Sequence, residues 1–281
     1  MSRWFDETLY GPQRQSFRID RELYHACSEF QEILIFENET LGRVLTLDGV
    51  VQVTEKDEFV YHEMLTHLPL IAHGAAKKVL IIGGGDGGIL EEALKHPIER
   101  AVMVEIDGMV IEASRNFLPS VCGKAFADPR TELIVGDGVK YMAESREQFD
   151  LIVVDSTDPV GPAVELFGEP FFRDARERLS ERGVLVTQNG VPFFQPQEVT
   201  DTYAKRKKLF PLTGFYMAAV PTYYGGLMAL GWASKGLDLA RPDRAEIAAR
   251  YAKLGVATQY YNPDIHVASL ALPSFVRGLM K

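Results

Sequence analysis

Residues 79–88, with the sequence VLIIGGGDGG, decide the fold of this chain. Four consecutive apolar residues are typical of a strand that is buried on both faces of a sheet. The glycines that follow satisfy the pattern GxGxxG at Gly83, Gly85 and Gly88, which is typical of a turn that holds a nucleotide at the start of a helix. Five glycines in six positions are costly to order, so a ligand-free turn is the less favoured interpretation.

Beyond this turn, apolar strands alternate with helical patterns. The predicted strands are 79–82, 101–106, 131–135, 150–155 and 184–188, and the predicted helices are 89–96, one ending near 117, 138–144 and 170–179. The segments 214–220 and 226–233 predict a closing hairpin. This alternation favours an α/β domain with a doubly wound, mostly parallel sheet.

The chain before the turn has a different pattern. Segments 30–36, 42–47 and 50–54 are short, apolar and separated by turn residues, which predicts a small antiparallel β domain. From residue 57 to 73 the apolar residues fall at helical spacing, so we expect a helix that connects the two parts. The predicted domains are therefore 1–56 and 57–281.

Acidic residues follow the predicted strands at the edge where open α/β sheets bind their ligands. Glu105 and Asp155 end strands, Asp137 follows a strand and precedes Gly138, and Asp158 lies three residues beyond Asp155. A helix cap is an equally good explanation for Asp137 alone. Together with Asp86 in the glycine turn, however, these acids predict a pocket for a ligand with hydroxyls, an amino edge and positive charge.

Asp86 separates two interpretations of the glycine turn. A dinucleotide would place its pyrophosphate against this turn, where the Asp86 carboxylate would repel it. A cationic group would be attracted instead. A nicotinamide-dependent dehydrogenase is therefore the second choice, behind a site for a ligand of the S-adenosylmethionine type.

Several other classes are disfavoured. The formal charge of −9 makes nucleic acid a poor partner and a cationic small molecule a good one. Cys27 and Cys122 cannot form a disulfide framework, the histidines lack metal-ligand spacing, and His62 and His67 are spaced by five rather than the four of HExxH. From the spacing of the histidines we expect no metal site. No apolar run is suited to a membrane span or a signal peptide, so we expect a soluble cytoplasmic protein.

The chain resembles the spermidine synthase family of polyamine aminopropyltransferases over nearly its whole length. The resemblance rests on motifs in the same order: WFxE at 4–7, FQEILIFEN at 30–38, LDGVVQVTEKDEFVYHEM at 47–64, VLIIGGGDGG at 79–88, VEID at 104–107, DxxDPxGP with LF at 155–167, PTYYGG at 221–226 and YYNPDIH at 260–266.

The resemblance implies an N-terminal β domain followed by a Rossmann-like, methyltransferase-type domain, usually in a homodimer or homotetramer. It also implies transfer of the aminopropyl group of decarboxylated S-adenosylmethionine to putrescine, which gives spermidine and 5′-methylthioadenosine. No metal or redox cofactor is implied, since decarboxylated S-adenosylmethionine is a co-substrate.

The resemblance and the chemistry of the residues together assign the site. Glu105 is expected to accept the ribose hydroxyls and Asp137 with Gly138 to read the adenine edge, while the resemblance adds Gln31 and Pro162 as nucleoside contacts. Asp86 suits the aminopropyl ammonium. The resemblance places Tyr61, His62, Asp155, Asp158 and Tyr223 around the diamine. From the chemistry of the amine, Asp155 is the candidate proton acceptor, and a hydrogen bond from Tyr61 would lower the pKa of the amine.

Close alternatives share these motifs. A putrescine N-methyltransferase is the nearest, and aminopropyl transfer to cadaverine, agmatine or spermidine differs only in the acceptor. A catalytically inactive binding protein is the most distant alternative, because every acid that the chemistry needs is present.

Overall fold

The computed structural model describes residues 3–158 and 161–281, without the side chain of Pro162. The predicted nucleoside contact at Pro162 therefore lies outside the described residues. None of the helices within these ranges is long and apolar enough to cross a membrane.

The N-terminal part consists of two antiparallel sheets. A two-stranded sheet pairs β1 (Arg3–Glu7) with β2 (Gln15–Ile19), and a four-stranded sheet has the order β3 (Arg21–Cys27), β4 (Glu32–Asn38), β5 (Gly42–Leu47) and β6 (Val50–Thr54). The tight turn between β5 and β6 requires left-handed backbone at Asp48 and Gly49, with φ of 47° and 75°. The predicted strands β4, β5 and β6 are confirmed.

The second part is built on a seven-stranded sheet. Its strands are β7 (Lys78–Gly83), β8 (Arg100–Glu105), β9 (Thr131–Val135), β10 (Phe149–Asp155), β11 (Leu179–Gln188), β12 (Leu212–Ala218) and β13 (Met228–Ser234), in the order β12-β13-β11-β10-β7-β8-β9. The first five run parallel, and β13 pairs antiparallel with both β11 and β12. The doubly wound sheet and the closing hairpin are confirmed.

Ten α-helices are described. They are α1 (Glu58–His73), α2 (Gly88–Leu94), α3 (Gly108–Phe117), α4 (Pro119–Cys122), α5 (Gly138–Glu144), α6 (Glu169–Arg178), α7 (Pro196–Leu209), α8 (Arg244–Leu254), α9 (Pro263–Ser269) and α10 (Ser274–Leu279). Short 3₁₀ helices span Ala125–Ala127 and Gly161–Phe167. The connecting helix α1 packs against α2 and β11.

Both faces of the large sheet are buried, which explains the apolar runs in its strands. In β7, Val79 and Ile81 belong to the core on one face, while Leu80 and Ile82 belong to the core on the other. The strand order reverses between β7 and β10, and ligands of such sheets bind outside the carboxyl ends of the strands at that point.

Candidate active site

A cavity of about 550 Å³ opens at the carboxyl ends of the parallel strands. The strand ends of the large sheet form one side of it, and residues of the N-terminal part and of the segments around 190 and 223 form the other. Nine of the predicted site residues line this cavity: Gln31, Tyr61, Asp86, Glu105, Asp137, Gly138, Asp155, Asp158 and Tyr223.

The glycine turn lies directly against the end of β10. Gly84 N donates to the Asp155 carbonyl oxygen at 3.0 Å, and a Cβ on Gly83 would lie only 1.9 Å from the same oxygen. Side chains are therefore excluded here, and the turn brings Asp86 beside Asp155. The Asp86 carboxylate is buried, and its Oδ1 accepts a hydrogen bond from Gly88 N at 2.7 Å.

Asp155 occupies the centre of the acidic wall. Burial and the neighbouring Asp86 charge raise the pKa of Asp155 to about 7. The Tyr61 hydroxyl donates to Asp155 Oδ1 at 2.6 Å, and the predicted bond from Tyr61 to the amine stays a prediction. Tyr61 also packs edge-on against Tyr223 with ring centroids 5.6 Å apart, so the two rings wall the cavity beside the carboxylate.

Glu105 ends β8 and faces the cavity from a buried position. Burial raises the pKa of its carboxyl to about 7, although Glu105 Oε1 accepts a hydrogen bond from Asp107 N at 2.9 Å. Asp107 in turn accepts from Gln31 Nε2 at 3.0 Å, which fixes the Gln31 amide of the N-terminal part. Asp107 was not predicted as a site residue, although the VEID motif contains it.

Asp137 both caps a helix and lines the cavity. Its Oδ1 accepts from Val139 N and Lys140 N at 2.8 and 3.2 Å, which is the N-cap arrangement of α5. A Cβ on Gly138 would lie 2.3 Å from Ile82 Cγ2, so the start of α5 can pack this closely against Ile82 only because residue 138 is glycine. Asp137 can therefore be both a helix cap and a residue of the candidate site.

Asp158 lies at the other end of the cavity, in a hydrogen-bonded group. Its Oδ2 accepts from Gln195 Nε2 at 2.8 Å, and the same nitrogen donates to Glu198 Oε1 at 3.0 Å. Gln195 Oε1 accepts from Val191 N and from the Tyr10 hydroxyl at 2.9 and 3.1 Å. Burial raises the pKa of Asp158, so the group is a desolvated acidic site.

Sequence reasoning missed four lining residues at this end: Glu7, Tyr10, Gln188 and Gln195. Glu7 is buried and accepts from Val51 N at 2.7 Å and from Gln15 Nε2 at 3.0 Å. The WFxE motif contains Glu7, and Gln188 ends β11, so the strand-end rule that indicated Asp155 also indicates Gln188. Nothing in the local sequence singles out Tyr10 or Gln195.

His62 is placed differently from the other predicted residues. Its ring is 1% exposed and, among the described residues, it is not part of the cavity wall. His62 Nε2 lies 3.4 Å from Asp86 Oδ2, and Nδ1 lies 2.7 Å from Glu58 Oε2. His62 therefore lies behind Asp86 as seen from the cavity, and its contact with the amine stays a prediction. The described residues contain no group of three or more His, Cys, Asp or Glu side chains arranged to hold a metal ion.

The chain matches known proteins over nearly its whole length. The family model described as "Spermine/spermidine synthase domain" matches residues 58–241, and the "Spermidine synthase tetramerisation domain" matches residues 3–55. Polyamine aminopropyltransferase 1 of Pseudomonas aeruginosa is 51% identical over 273 residues, which cover 97% of this chain and 96% of that protein. The polyamine aminopropyltransferase of a Ruegeria species is 48% identical, with 98% of each chain covered.

Solved structures show the same similarity. A crystal structure of spermidine synthase in complex with the transition-state analogue AdoDATO has a TM-score of 0.93 and 40% identity, covering 100% of this chain and 96% of that one. Spermidine synthase from Thermotoga maritima has a TM-score of 0.91 and 39% identity, covering 100% and 95%. The full-length matches in sequence and fold show that the chain is an enzyme of the spermidine synthase family of polyamine aminopropyltransferases.

Proposed function

We propose that this enzyme transfers the aminopropyl group of decarboxylated S-adenosylmethionine to putrescine, forming spermidine and 5′-methylthioadenosine. The observation that carries the proposal is the row of carboxyl groups at one cavity wall, with Asp86 buried in the glycine turn and Asp155 and Asp158 half-buried beyond it. Bringing several partly desolvated acids together is unfavourable, and a polycationic ligand would relieve that cost.

The nucleoside would occupy the end of the cavity near β8 and α5. Glu105 presents a carboxyl group to the ribose hydroxyls, Asp137 and Gly138 lie at the adenine edge, and Gln31 closes this end from the N-terminal sheet. The bond from Gln31 to Asp107 fixes that closing side chain before a ligand arrives.

Asp86 supports the decarboxylated nucleoside over S-adenosylmethionine itself. The decarboxylated form brings only an ammonium group toward the glycine turn, and the Asp86 carboxylate attracts it. S-adenosylmethionine would bring a carboxylate to the same place, where Asp86 and Asp155 would repel it. This argument favours aminopropyl transfer over putrescine N-methylation.

The acceptor amine must lose a proton before it attacks. With a reference pKa near 10.4 for such an amine, the neutral form costs about 4–5 kcal/mol at neutral pH. Asp155 takes this proton, because its raised pKa makes it a stronger base than an ordinary aspartate. The bond from Tyr61 holds the Asp155 carboxylate in one orientation.

The transfer itself is a displacement at carbon. The free nitrogen pair forms a bond to the aminopropyl carbon next to sulfur, and the carbon–sulfur bonding pair returns to the sulfonium as a neutral thioether. Alignment of the two substrates between the strand ends and the Tyr61–Tyr223 wall supplies much of the acceleration. The reaction involves no net oxidation, so we propose no metal or redox cofactor.

The deciding experiment is a mass-spectrometric product assay with putrescine and either decarboxylated S-adenosylmethionine or S-adenosylmethionine. We expect spermidine and methylthioadenosine from the first mixture and no product from the second. N-methylputrescine from the second mixture would contradict the proposal. Cadaverine, agmatine and spermidine in parallel assays would reveal a different preferred acceptor.

We further propose that the enzyme is a cytoplasmic homodimer or homotetramer. The match of residues 3–55 to a tetramerisation domain supports self-association. The free thiols of Cys27 and Cys122 are typical of proteins from a reducing compartment. Light scattering coupled to gel filtration measures the number of subunits directly.

A further inference from the structure

A chain of three ionisable side chains leads from helix α1 to the cavity. Glu58 and His62 lie one helical turn apart on α1, with Glu58 Oε2 2.7 Å from His62 Nδ1. The opposite ring nitrogen, His62 Nε2, lies 3.4 Å from Asp86 Oδ2. Since Asp86 Oδ1 already accepts from Gly88 N, both oxygens of the Asp86 carboxylate have partners behind the cavity wall.

The fold makes space for this imidazole. A Cβ on Gly88 would lie 2.2 Å from the His62 ring, so the ring packs directly on the backbone at the start of α2. His62 is 1% exposed. A buried ring with a carboxylate at each nitrogen can satisfy both contacts only as a double donor, that is, as the imidazolium.

The charges around the ring favour the same state. Burial alone would lower the pKa of His62, but Asp86 and Glu58 outweigh it and raise that pKa well above its usual value. The other ionisable groups facing the Glu58–His62 pair are Asp57, Tyr61, Tyr223, Asp155 and Glu91, with Lys95 paired to Glu91. The positive charge of His62 in turn lowers the pKa of Asp155.

We propose that Glu58 and His62 are positioning residues for the aminopropyl subsite, in which Glu58 holds His62 as an imidazolium that orients the Asp86 carboxylate toward the substrate ammonium. The proposal rests on the proposed function, because it deepens the role given there to Asp86. Among the described residues Glu58 does not line the large cavity, so it acts only through His62.

The first test measures the effect of Glu58 on the protonation of His62 and requires no catalytic turnover. The His62 ring is followed by NMR in the wild type, in Glu58→Gln and in Glu91→Gln, where Glu91 is the matched control because it pairs with Lys95 instead of His62. We expect His62 to be protonated at neutral pH in the wild type and the control, and to titrate at a lower pH in Glu58→Gln than in either of them. A neutral His62 in the wild type overturns the proposal whatever reaction the enzyme catalyses.

The second test separates the two ends of the nucleoside substrate. In Glu58→Gln we expect the affinity for decarboxylated S-adenosylmethionine to fall about tenfold, as for one weakened charge-assisted contact. Methylthioadenosine, which lacks the aminopropyl ammonium, should bind as in the wild type and so reports that the site is folded. An equal loss for both ligands would show a merely structural role.

The third test uses His62→Gln, which keeps a donor for Asp86 but removes the charge. In that background Glu58→Gln should cause no further loss, and an additive loss would contradict action through His62. The low-pH limb of kcat/KM should move to higher pH in each single variant, because Asp155 loses a neighbouring positive charge. If Glu58 acted on Asp155 directly, its loss would move that limb to lower pH, which would refute the proposal.

Discussion

Asp155 is the residue on which the proposed chemistry depends most. We expect Asp155→Asn to lower turnover by roughly 10²–10⁴-fold, the usual contribution of a general base, because an amide cannot take the amine proton. Binding of methylthioadenosine should persist, since that ligand requires no proton transfer. Single-turnover kinetics and calorimetric binding measure the two quantities, and near-normal turnover would refute the assignment.

In the proposed reaction, Asp86 sets both a preference for the cationic nucleoside and the pH dependence of catalysis. We expect Asp86→Asn to weaken decarboxylated S-adenosylmethionine at least about tenfold while sparing methylthioadenosine. The Asp86 charge raises the pKa of Asp155, and the base must be ionised to act. The low-pH limb of kcat/KM should therefore move to lower pH in the variant. A loss shared by both ligands would mean that Asp86 only shapes the turn.

Glu105 is expected to favour ligand binding but to lower the stability of the fold. The folded-state pKa of Glu105 is about 7, above its ordinary value of 4.5, so the carboxyl destabilises the fold progressively as pH rises between these values. We expect Glu105→Gln to gain up to about 3 kcal/mol in unfolding free energy relative to the wild type between pH 4.5 and pH 8, while losing methylthioadenosine affinity. Urea unfolding at several pH values checks this, and a pH-independent difference would contradict it.

Helix α1 anchors the C-terminal part of the chain through Glu63. The Glu63 carboxylate is 2% exposed and accepts from the backbone N–H groups of residues 259, 260 and 261 at 2.7, 2.9 and 2.7 Å. The side-chain amide of Glu63→Gln would present its own N–H groups to backbone N–H groups that are also hydrogen-bond donors. We expect Glu63→Gln to cost about 2–3 kcal/mol of stability, seen as a lower Tm, while methylthioadenosine binding at 25 °C persists.

The matched control for that substitution is Glu112→Gln, an exposed carboxylate of α3. Its Tm should equal that of the wild type. A Glu63→Gln protein as stable as this control would show that the C-terminal segment is held by its apolar packing alone.

Most of the elements that sequence reasoning found have a strong burial pattern, although α7, which buries Val199, Thr202 and Arg206, was not predicted. Strands β7, β8 and β10 are buried on both faces and flank the glycine turn, so their apolar runs were sufficient to predict them as strands. Helices α8, α9 and α10 were not predicted because each buries only one residue, namely Ile247, His266 and Val276. A helix with one buried position shows no clear apolar period, and α5, which buries only Met142, was predicted from its place between two apolar strands.

The same limit applies to the N-terminal strands. In β1 only Phe5 and Glu7 are buried, and β2 and β3 are mostly exposed or half-buried, so their alternation is weak. They were expected only as part of a general β region. Glu7 escaped notice as a cavity residue for this reason, since a carboxylate in a weak strand suggests a solvated position.

At the scale of the whole molecule, the cavity is formed by segments far apart in the sequence. The Tyr10 hydroxyl reaches Gln195, Gln15 Nε2 donates to the Thr222 carbonyl at 2.9 Å, and the Tyr223 hydroxyl donates to the Gln52 carbonyl at 2.6 Å. Strand-end acids follow a topological rule and could be predicted. These long-range contacts depend on how two sheets pack, which local patterns do not encode.

The charge of the molecule predicts how salt affects catalysis. The formal charge is −9 and the cavity wall is acidic, so both of the proposed cationic substrates would be attracted before they bind. We expect kcat/KM for each to fall as ionic strength rises from about 0.05 to about 0.5 M, because salt shortens the screening length. The affinity for neutral methylthioadenosine should stay constant and serves as the control. Salt-independent kcat/KM would contradict electrostatic attraction.

The acidic wall that would attract the proposed substrates would also affect the release of the products. In the proposed reaction methylthioadenosine departs without charge, whereas the polyamine product carries one more ammonium than the diamine acceptor. Tyr61, Tyr223 and the carboxylates beside them would therefore hold the product longer than the molecule it came from. The residence time of the product would then limit each catalytic cycle, and the cell's own polyamine pool would slow its further synthesis by occupying the same wall.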